Sequence, residues 1–174
     1  MKIESPDFRE LLTLLDKNNV RYLVAGGYAV NFYGYIRNTG DLDIWIDNSD
    51  ENADLVIKTL LEFGFASPNL KKSDFTQSGG FIQLGYPPYR VDIITSVDGL
   101  TFSEAYENKK VETVDEIDIN WISLEDLKKN KKASGRHKDL DDLEKLKKLW
   151  RHSKYPYFIE APLYPKLKMR AKYL

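Results

Sequence analysis

The chain has 174 residues, a hydrophobic content of 42% and a formal net charge of −1, which predicts one compact domain with a sizeable core. It contains no cysteine, which excludes disulfides, thiol catalysis and thiolate metal sites, and its two histidines argue against histidine-rich zinc or iron sites. No apolar segment approaches the roughly 20 residues of a membrane helix and no signal-peptide profile is present, so we expect a soluble, cytoplasmic protein.

Hydrophobic periodicity predicts helices and strands that alternate along the chain. The first helix begins near Pro6, capped by Ser5 or Asp7, and ends near residue 18. Strands are predicted at 21–25, 41–46, 81–84, 90–95 and 116–122. Further helices are predicted at 28–35, 51–63, 102–108, 123–133 and 137–149. In the last of these we expect Asp139 to cap the helix, and Asp141 and Asp142 to face solvent and pair with nearby lysines.

Positive charge is concentrated in the last third of the chain. From residue 128 onward there are 15 lysines and arginines against five acidic residues. This asymmetry favours a basic face that meets nucleotide phosphates or nucleic acid, although a solvated, lysine-rich helix explains the cluster at 128–132 equally well. We assign residues 1–150 to the domain and expect the basic, aromatic tail at 151–174 to pack on the body or on a partner protein.

Three aspartates carry the chemical signal of this sequence. Asp41 and Asp43 lie in an apolar strand, so their side chains point to one face roughly 6–7 Å apart. Asp92 lies in a second strand-like run. Clustered carboxylates repel one another unless a cation neutralises them, and a hard divalent cation prefers oxygen ligands. The three acids therefore predict a site for one or two Mg²⁺ ions, with Mn²⁺ as the alternative, of the kind used in phosphoryl transfer.

A pair of glycines precedes this acidic pair. Gly26 and Gly27 follow a predicted strand and precede a predicted helix, a junction that suits phosphate binding but is equally consistent with a plain structural turn. Arg37 and Thr39 then lead into the acidic strand, where Arg37 would contact phosphate or pair with Asp41, and Thr39 would cap the turn or contact phosphate.

The order of these motifs resembles that of a known enzyme superfamily. Gly26-Gly27-Tyr28-Ala29, Arg37-Asn38-Thr39-Gly40-Asp41-Leu42-Asp43 and Val91-Asp92 resemble the DNA polymerase β-like nucleotidyltransferases, in particular the minimal, AbiEii-like branch of toxin–antitoxin and antibiotic-modifying enzymes. The basic helix junction at 132–140 is similar as well, and the resemblance covers residues 8–149. It implies an α+β (mixed α/β) fold, in which a twisted mixed β-sheet is flanked by helices and followed by C-terminal helices.

The resemblance also implies roles for individual residues. Asp41 and Asp43 would hold Mg²⁺ and the nucleoside triphosphate, Asp92 would complete the metal site and activate the acceptor, and both glycines would contact phosphate through the backbone. Basic side chains would neutralise the departing pyrophosphate; the candidates are Arg37, Lys132, Arg136 and Lys138. Many relatives have Gly-Ser at the phosphate cradle, whereas Gly27 supplies no hydroxyl here.

The acceptor of the transferred nucleotide stays open at this stage. RNA, with tRNA as one example, a protein side chain or a small hydroxylated molecule such as an antibiotic would each supply a hydroxyl group. A non-catalytic interaction module that keeps the fold, such as an antitoxin-like partner, is the alternative. The intact set of three aspartates argues against that alternative, because an abandoned site has no reason to retain clustered anions.

Overall fold

The fold is a six-stranded mixed β-sheet flanked by seven helices, as seen in a computed structural model that describes residues 5–65, 70–86, 89–114 and 116–153. The helices are α1 (Pro6–Lys17), α2 (Gly26–Phe32), α3 (Asp50–Glu62), α4 (Ser73–Thr76), α5 (Phe102–Glu107), α6 (Leu124–Ser134) and α7 (His137–Ser153). The strands are β1 (Tyr22–Val24), β2 (Asp41–Ile46), β3 (Phe81–Leu84), β4 (Arg90–Ile94), β5 (Lys110–Val114) and β6 (Ile117–Trp121). The predicted fold class is confirmed.

The strand order is β3-β4-β2-β1-β6-β5. β2 runs parallel to β4 and antiparallel to β1, while β1 runs parallel to β6; the two edge strands, β3 and β5, are each antiparallel to their neighbour. This order places the acidic strand β2 in the middle of the sheet, beside β4. In the sequence, 43 residues separate Asp41, the first residue of β2, from Leu84, the last residue of β3, which precedes β4. The two predicted acidic strands are therefore direct neighbours.

The core lies between the sheet and its helices. α1 begins at the predicted cap, where the Ser5 hydroxyl accepts a hydrogen bond from the Phe8 amide, and its apolar face packs towards β6 and α3. Trp45 of β2 and Trp121 of β6 are among the largest fully buried side chains. α2 packs against β2 and α6, and α6 packs against α7, so helices from both halves of the chain surround the acidic strand.

The structure differs from the predicted elements in four places. α2 begins two residues earlier than predicted because Ala25, in an extended conformation, is its N-cap, so both glycines lie in its first turn. β5 and α4 had no sequence signal: four of the five β5 residues are exposed, which removes the alternation of a half-buried strand, and α4 is a single four-residue turn. α7 continues to Ser153, past the predicted end of this helix at about residue 149.

The predicted tail falls almost entirely outside the described residues, which end at Ser153, and its packing stays a prediction. In the part of the chain that the structure describes, no helix has the length and apolar character needed to cross a bilayer.

Candidate active site

The three aspartates meet on one face of the sheet. In the parallel pairing of β2 with β4, Asp43 lies directly opposite Asp92, and Asp41 lies opposite Arg90. Because directly paired strand residues point to the same face, as do residues two apart, all three carboxylates project to one side. The structure thus brings together the acids that sequence reasoning placed on two separate strands.

The carboxylate of Asp43 lies against the first turn of α2. Burial, reinforced by the negative charges of Asp41 and Asp92, raises the pKa of Asp43 from an ordinary value of 3.8 to about 6. The backbone amide of Gly27 opposes this shift by donating a hydrogen bond of 3.4 Å to Oδ2 of Asp43. The site therefore concentrates negative charge that its own neighbours only partly neutralise.

At position 26, only glycine fits beside the carboxylate of Asp43. Its φ of +55° lies in the left-handed region, and a Cβ at this position would lie 1.7 Å from Oδ2 of Asp43. The preceding amide, of Ala25, donates to the carbonyl of Asp43 at 3.0 Å, which fixes the start of α2 against β2. The close approach of backbone and carboxylate therefore requires glycine.

Because Gly27 has no side chain, the side chain of Thr39 fits beside it. A Cβ at position 27 would lie 2.3 Å from Oγ1 of Thr39, so the hydroxyl of Thr39 covers the place where a serine side chain would begin. That hydroxyl donates to Oδ1 of Asp41 at 3.1 Å. The departure from the Gly-Ser pattern of many relatives thus has a steric explanation, because this chain has a hydroxyl at the same place from another residue.

A cleft of about 510 Å³ opens over these groups. Of the residues predicted from sequence, it is lined by Gly26, Gly27, Arg37, Thr39, Asp41, Asp43, Arg136 and Lys138. Asp92 is not among the lining residues, because its side chain is only 4% exposed behind Arg90. Lys132 is exposed and does not line the cleft, whereas its neighbour Lys131 does.

Comparison with known proteins agrees with this geometry. A profile of the aminoglycoside-2''-adenylyltransferase family matches residues 7–146, which is most of the chain. The chain belongs to that family. The enzyme class predicted from sequence, nucleotidyltransferase, is thereby confirmed, as is membership of the wider polymerase β-like superfamily. A comparison with curated protein sequences finds no significant match.

Two solved structures share the fold. One is TM1012 of Thermotoga maritima, a protein assigned as a nucleotidyltransferase, with a TM-score of 0.53 and 18% identity over 88% of this chain and 96% of that one. The other is the lincosamide antibiotic adenylyltransferase LnuA with lincomycin bound, with a TM-score of 0.50 and 16% identity over 86% of this chain and 99% of that one. At these identities the likeness supports the fold alone.

Three of the four cations that line the cleft pair with acids of α7. Arg37 donates to both carboxylate oxygens of Asp142, at 2.7 and 2.8 Å, and the Asn31 side chain fixes the Arg37 backbone through two hydrogen bonds of 2.9 Å. Neither predicted role of Arg37 describes this contact. The expectation that Asp142 faces solvent is wrong: its side chain is 1% exposed, because the helix turns it towards Arg37 and Lys131.

Sequence reasoning also missed the roles of Lys131 and Asp139. Lys131 is buried and pairs with Asp139 and, at 3.1 Å, with Asp142, while Arg136 donates to Asp139 at 2.6 Å. Burial alone would raise the pKa of Asp139, but the hydrogen bonds from Lys131, Ser134 and Arg136 outweigh it and lower that pKa to about 2. Asp139 is thus not the helix cap that we expected. It is the buried partner of Lys131 and Arg136, which with Arg37 and Lys138 form the basic wall of the cleft.

Arg90 is the other residue that the sequence analysis missed. Its Nε and Nη2 donate to the two oxygens of Asp92 at 2.7 and 2.8 Å, and Nη2 also donates to Oδ2 of Asp41 at 2.6 Å. Its position two residues before Asp92 in an alternating strand was an available signal, since such residues share a face.

The carboxylates have the chemistry of a hard-cation site, and one cation already lies among them. Oxygen atoms of three acids face one side of the sheet, and burial, reinforced by the charges of Asp41 and Asp92, raises the pKa of Asp43. Within the described ranges, no group of three or more acidic, histidine or cysteine side chains is arranged to hold a metal ion. The donor set fits Mg²⁺ in kind, although Arg90 lies between Asp41 and Asp92.

Proposed function

We propose that this protein is a Mg²⁺-dependent enzyme that transfers a nucleoside monophosphate from a nucleoside triphosphate to a hydroxyl group of a small molecule such as an antibiotic. The observation that carries the proposal is the register of β2 with β4, which pairs Asp43 with Asp92 beneath a cleft bounded by two glycines and a basic wall. This arrangement offers carboxylates for a metal, backbone for phosphate and cations for the leaving group on adjoining surfaces.

Asp41, Asp43 and Asp92 are the residues that would hold Mg²⁺, and Mn²⁺ has the same preference for oxygen. When bound, the ion supplies charge neutralisation at the phosphates and acidifies the attacking hydroxyl group. The raised pKa of Asp43 supports this assignment, because a buried carboxylate with two acidic neighbours is stabilised by a cation.

The side chains of the cleft have distinct parts in the proposed reaction. Asp92, which lies opposite Asp43 on β4, accepts the proton of the acceptor hydroxyl. A bond forms between the acceptor oxygen and the α-phosphorus, the bond from that phosphorus to the bridging oxygen breaks, and pyrophosphate leaves. Lys138 and Arg136 on the basic wall neutralise the departing charge, and Lys138 makes no ion pair within the described part of the chain.

In the described part of the chain, the charge distribution favours a small acceptor over RNA. Most of the basic residues in α6 and early α7 are paired with acids; these pairs are Lys128–Glu125, Lys129–Asp126, Lys131–Asp139 and Arg136–Asp139. A basic stretch that is neutralised locally offers little attraction to a polyanion. A cleft of about 510 Å³ also lies within the range of small-molecule sites.

Two further residues that line the cleft suit a cationic acceptor that contains rings. Phe81, on β3, is 56% exposed, and Asp98, in the loop after β4, is exposed as well. The Asp98 side chain makes no ion pair with any described residue, although its charge acts on Arg136. An exposed aromatic ring and an exposed carboxylate in one cleft can bind the ring and the ammonium group of an amino sugar, which agrees with the name of the family.

The test is release of pyrophosphate from each nucleoside triphosphate with Mg²⁺, in the presence of a panel of aminoglycosides, lincosamides and tRNA. We expect turnover with a small molecule and its loss in Asp92→Asn. The matched control is Asp118→Asn, which removes an exposed carboxylate from β6, outside the cleft. In Asp98→Asn, the KM for a cationic acceptor should rise about tenfold while the KM for the nucleotide stays unchanged.

Other outcomes would count against this function. Turnover with tRNA and with no small molecule would show that the acceptor is RNA. An absence of turnover with every acceptor, together with an absence of nucleotide binding, would favour the non-catalytic interaction module, which includes an antitoxin-like partner.

A further inference from the structure

Arg90 lies among the acidic side chains, and the proposed reaction gives this arginine no role. Its guanidinium makes three hydrogen bonds, two to Asp92 and one to Asp41, all between 2.6 and 2.8 Å. Planar, paired contacts of this kind are the strongest form of arginine–carboxylate interaction. The side chain of Arg90 is 25% exposed and that of Asp92 is 4% exposed, so these contacts are partly shielded from water.

The strand register fixes Arg90 in this place. Arg90 lies two residues before Asp92 on β4, so both side chains point to the same face, and the parallel pairing sets Arg90 directly opposite Asp41. A guanidinium starting from that position spans the two acids without leaving the sheet surface. Its contacts therefore follow from backbone geometry and not from the chance position of a long surface side chain.

A divalent ion and the Arg90 guanidinium would compete for the same carboxylates. Both oxygens of Asp92 and one of Asp41 accept hydrogen bonds from Arg90, whereas Asp43 accepts one from the Gly27 amide at 3.4 Å. A cation bound by all three acids would need at least one oxygen from each. Both oxygens of Asp92 already face the positive charge of Arg90, which repels a second cation at the same place.

We propose that Arg90 is an internal counter-ion that competes with the divalent cation for Asp41 and Asp92. It prevents mutual repulsion of the acids and weakens metal binding until it withdraws. Arg90 is a positioning residue in this role, since it acts on the acids that hold the ion. The inference rests on the proposed metal-dependent function, but it concerns binding and can be measured without turnover.

The test measures Mn²⁺ binding by electron paramagnetic resonance of the free ion, with the full chain and no nucleotide. We compare the wild type with Arg90→Gln and Arg90→Lys. Arg21→Gln is the matched control, because it removes an arginine–aspartate ion pair of 2.7 Å, to Asp47, that lies outside the cleft. We expect Arg90→Gln to lower the Kd for Mn²⁺ about tenfold, Arg90→Lys to have an intermediate effect, and Arg21→Gln to have none.

A second measurement separates competition from simple loss of structure. The thermal midpoint of each variant is recorded in EDTA and in saturating Mn²⁺. If Arg90 is the counter-ion, Arg90→Gln has a lower midpoint than the wild type in EDTA and gains more from Mn²⁺, because the ion takes over its neutralising role. Arg21→Gln should gain no more than the wild type.

A Kd for Mn²⁺ that is unchanged or higher in Arg90→Gln would overturn the proposal, as would an absence of Mn²⁺ binding in both proteins. Failure of the proposed function has a different signature, which is absence of pyrophosphate release from the wild type at saturating Mg²⁺. A tenfold change in Kd without such turnover would support the counter-ion and reject the transferase reaction.

Discussion

At the scale of single residues, Gly27 and Thr39 constrain each other. A Cβ on residue 27 would lie 2.3 Å from Oγ1 and 2.9 Å from Cβ of Thr39, distances at which the neighbour must move. Gly27→Ser should therefore lower the free energy of unfolding by about 1–3 kcal/mol through overpacking. In a Thr39→Gly background the same substitution should cost clearly less, because the obstructing atoms are absent.

Urea denaturation of the two single variants and the double variant checks this expectation. The double-mutant cycle isolates the coupling between the two sites from the cost of Thr39→Gly itself, which also loses the hydrogen bond to Asp41. Equal costs of Gly27→Ser in both backgrounds would mean that the two side chains do not compete for the same space.

A second residue, Asp43, lowers the free energy of unfolding when its carboxylate is ionised. Its pKa is raised from 3.8 to about 6, so between these values the folded chain holds a proton that the unfolded chain releases. The free energy of unfolding then falls as the pH rises from about 4 to about 6. Asp43→Asn should thus stabilise the protein in EDTA at pH 8 by up to about 3 kcal/mol, and by little at pH 4.

Denaturation in urea at pH 4, 6 and 8, with EDTA throughout, measures this effect. Asp118→Asn, at an exposed carboxylate of β6, serves as the control and should show no comparable gain at pH 8. A gain for Asp43→Asn that is equal at all three pH values would show that its origin is packing and not the titration of Asp43.

At the scale of the elements, α7 is attached to the cleft through charge. Asp142, 1% exposed, joins Arg37 of the α2–β2 loop to Lys131 of α6. Its pKa is lowered because the hydrogen bonds from Arg37 and Lys131 outweigh the opposite effect of burial. Asp142→Ala leaves Arg37 and Lys131 without this partner in a largely buried environment. It should lower the free energy of unfolding by about 3 kcal/mol.

Asp141→Ala provides the matched control, since Asp141 is adjacent on α7 and its side chain is 58% exposed. It should change stability by less than about 1 kcal/mol. If Asp142 also positions Arg37 for phosphate, the KM for the nucleotide rises in Asp142→Ala but not in Asp141→Ala. Similar stability losses in the two variants would contradict the anchoring role of Asp142.

The helices and strands also show which features the sequence predicts and which it does not. Strands β2 and β3 have the predicted bounds, and α1 has its predicted cap and buried face, because each has local apolar periodicity or a local capping residue. β5 was missed since an exposed edge strand needs no alternation. α2 was predicted two residues late because glycine has low helix propensity, while contact with β2 places Gly26 in the helix.

For the whole molecule, the sequence indicated which residues act together but not how they are paired. The spacing of Asp41, Asp43 and Asp92 predicted one acidic site, and the register of β2 with β4 agrees. The partners of Arg37 and Arg90 depend on how distant segments pack, which local patterns do not encode. Asp142 lies 105 residues from Arg37, and only the fold brings that helix to the cleft.

The extent of the folded unit leads to a last prediction, about the tail. All residues that line the cleft lie between Ala25 and Asp139, and the described core cluster ends at Leu146. A chain that ends at Ser153 should therefore fold and bind a nucleoside triphosphate with an unchanged Kd. A chain that ends at Leu140 should not fold, because it lacks Asp142 and the buried Leu143 and Leu146.

Circular dichroism and nucleotide titration of the three chain lengths check this expectation. The comparison separates two uses of the tail that the sequence left open. If the shortened chain ending at Ser153 is folded but binds nucleotide more weakly than the full chain, residues 154–174 contribute to nucleotide binding and the domain extends beyond residue 153. If binding is unchanged while turnover falls, the tail acts on the acceptor side of the reaction or on a partner.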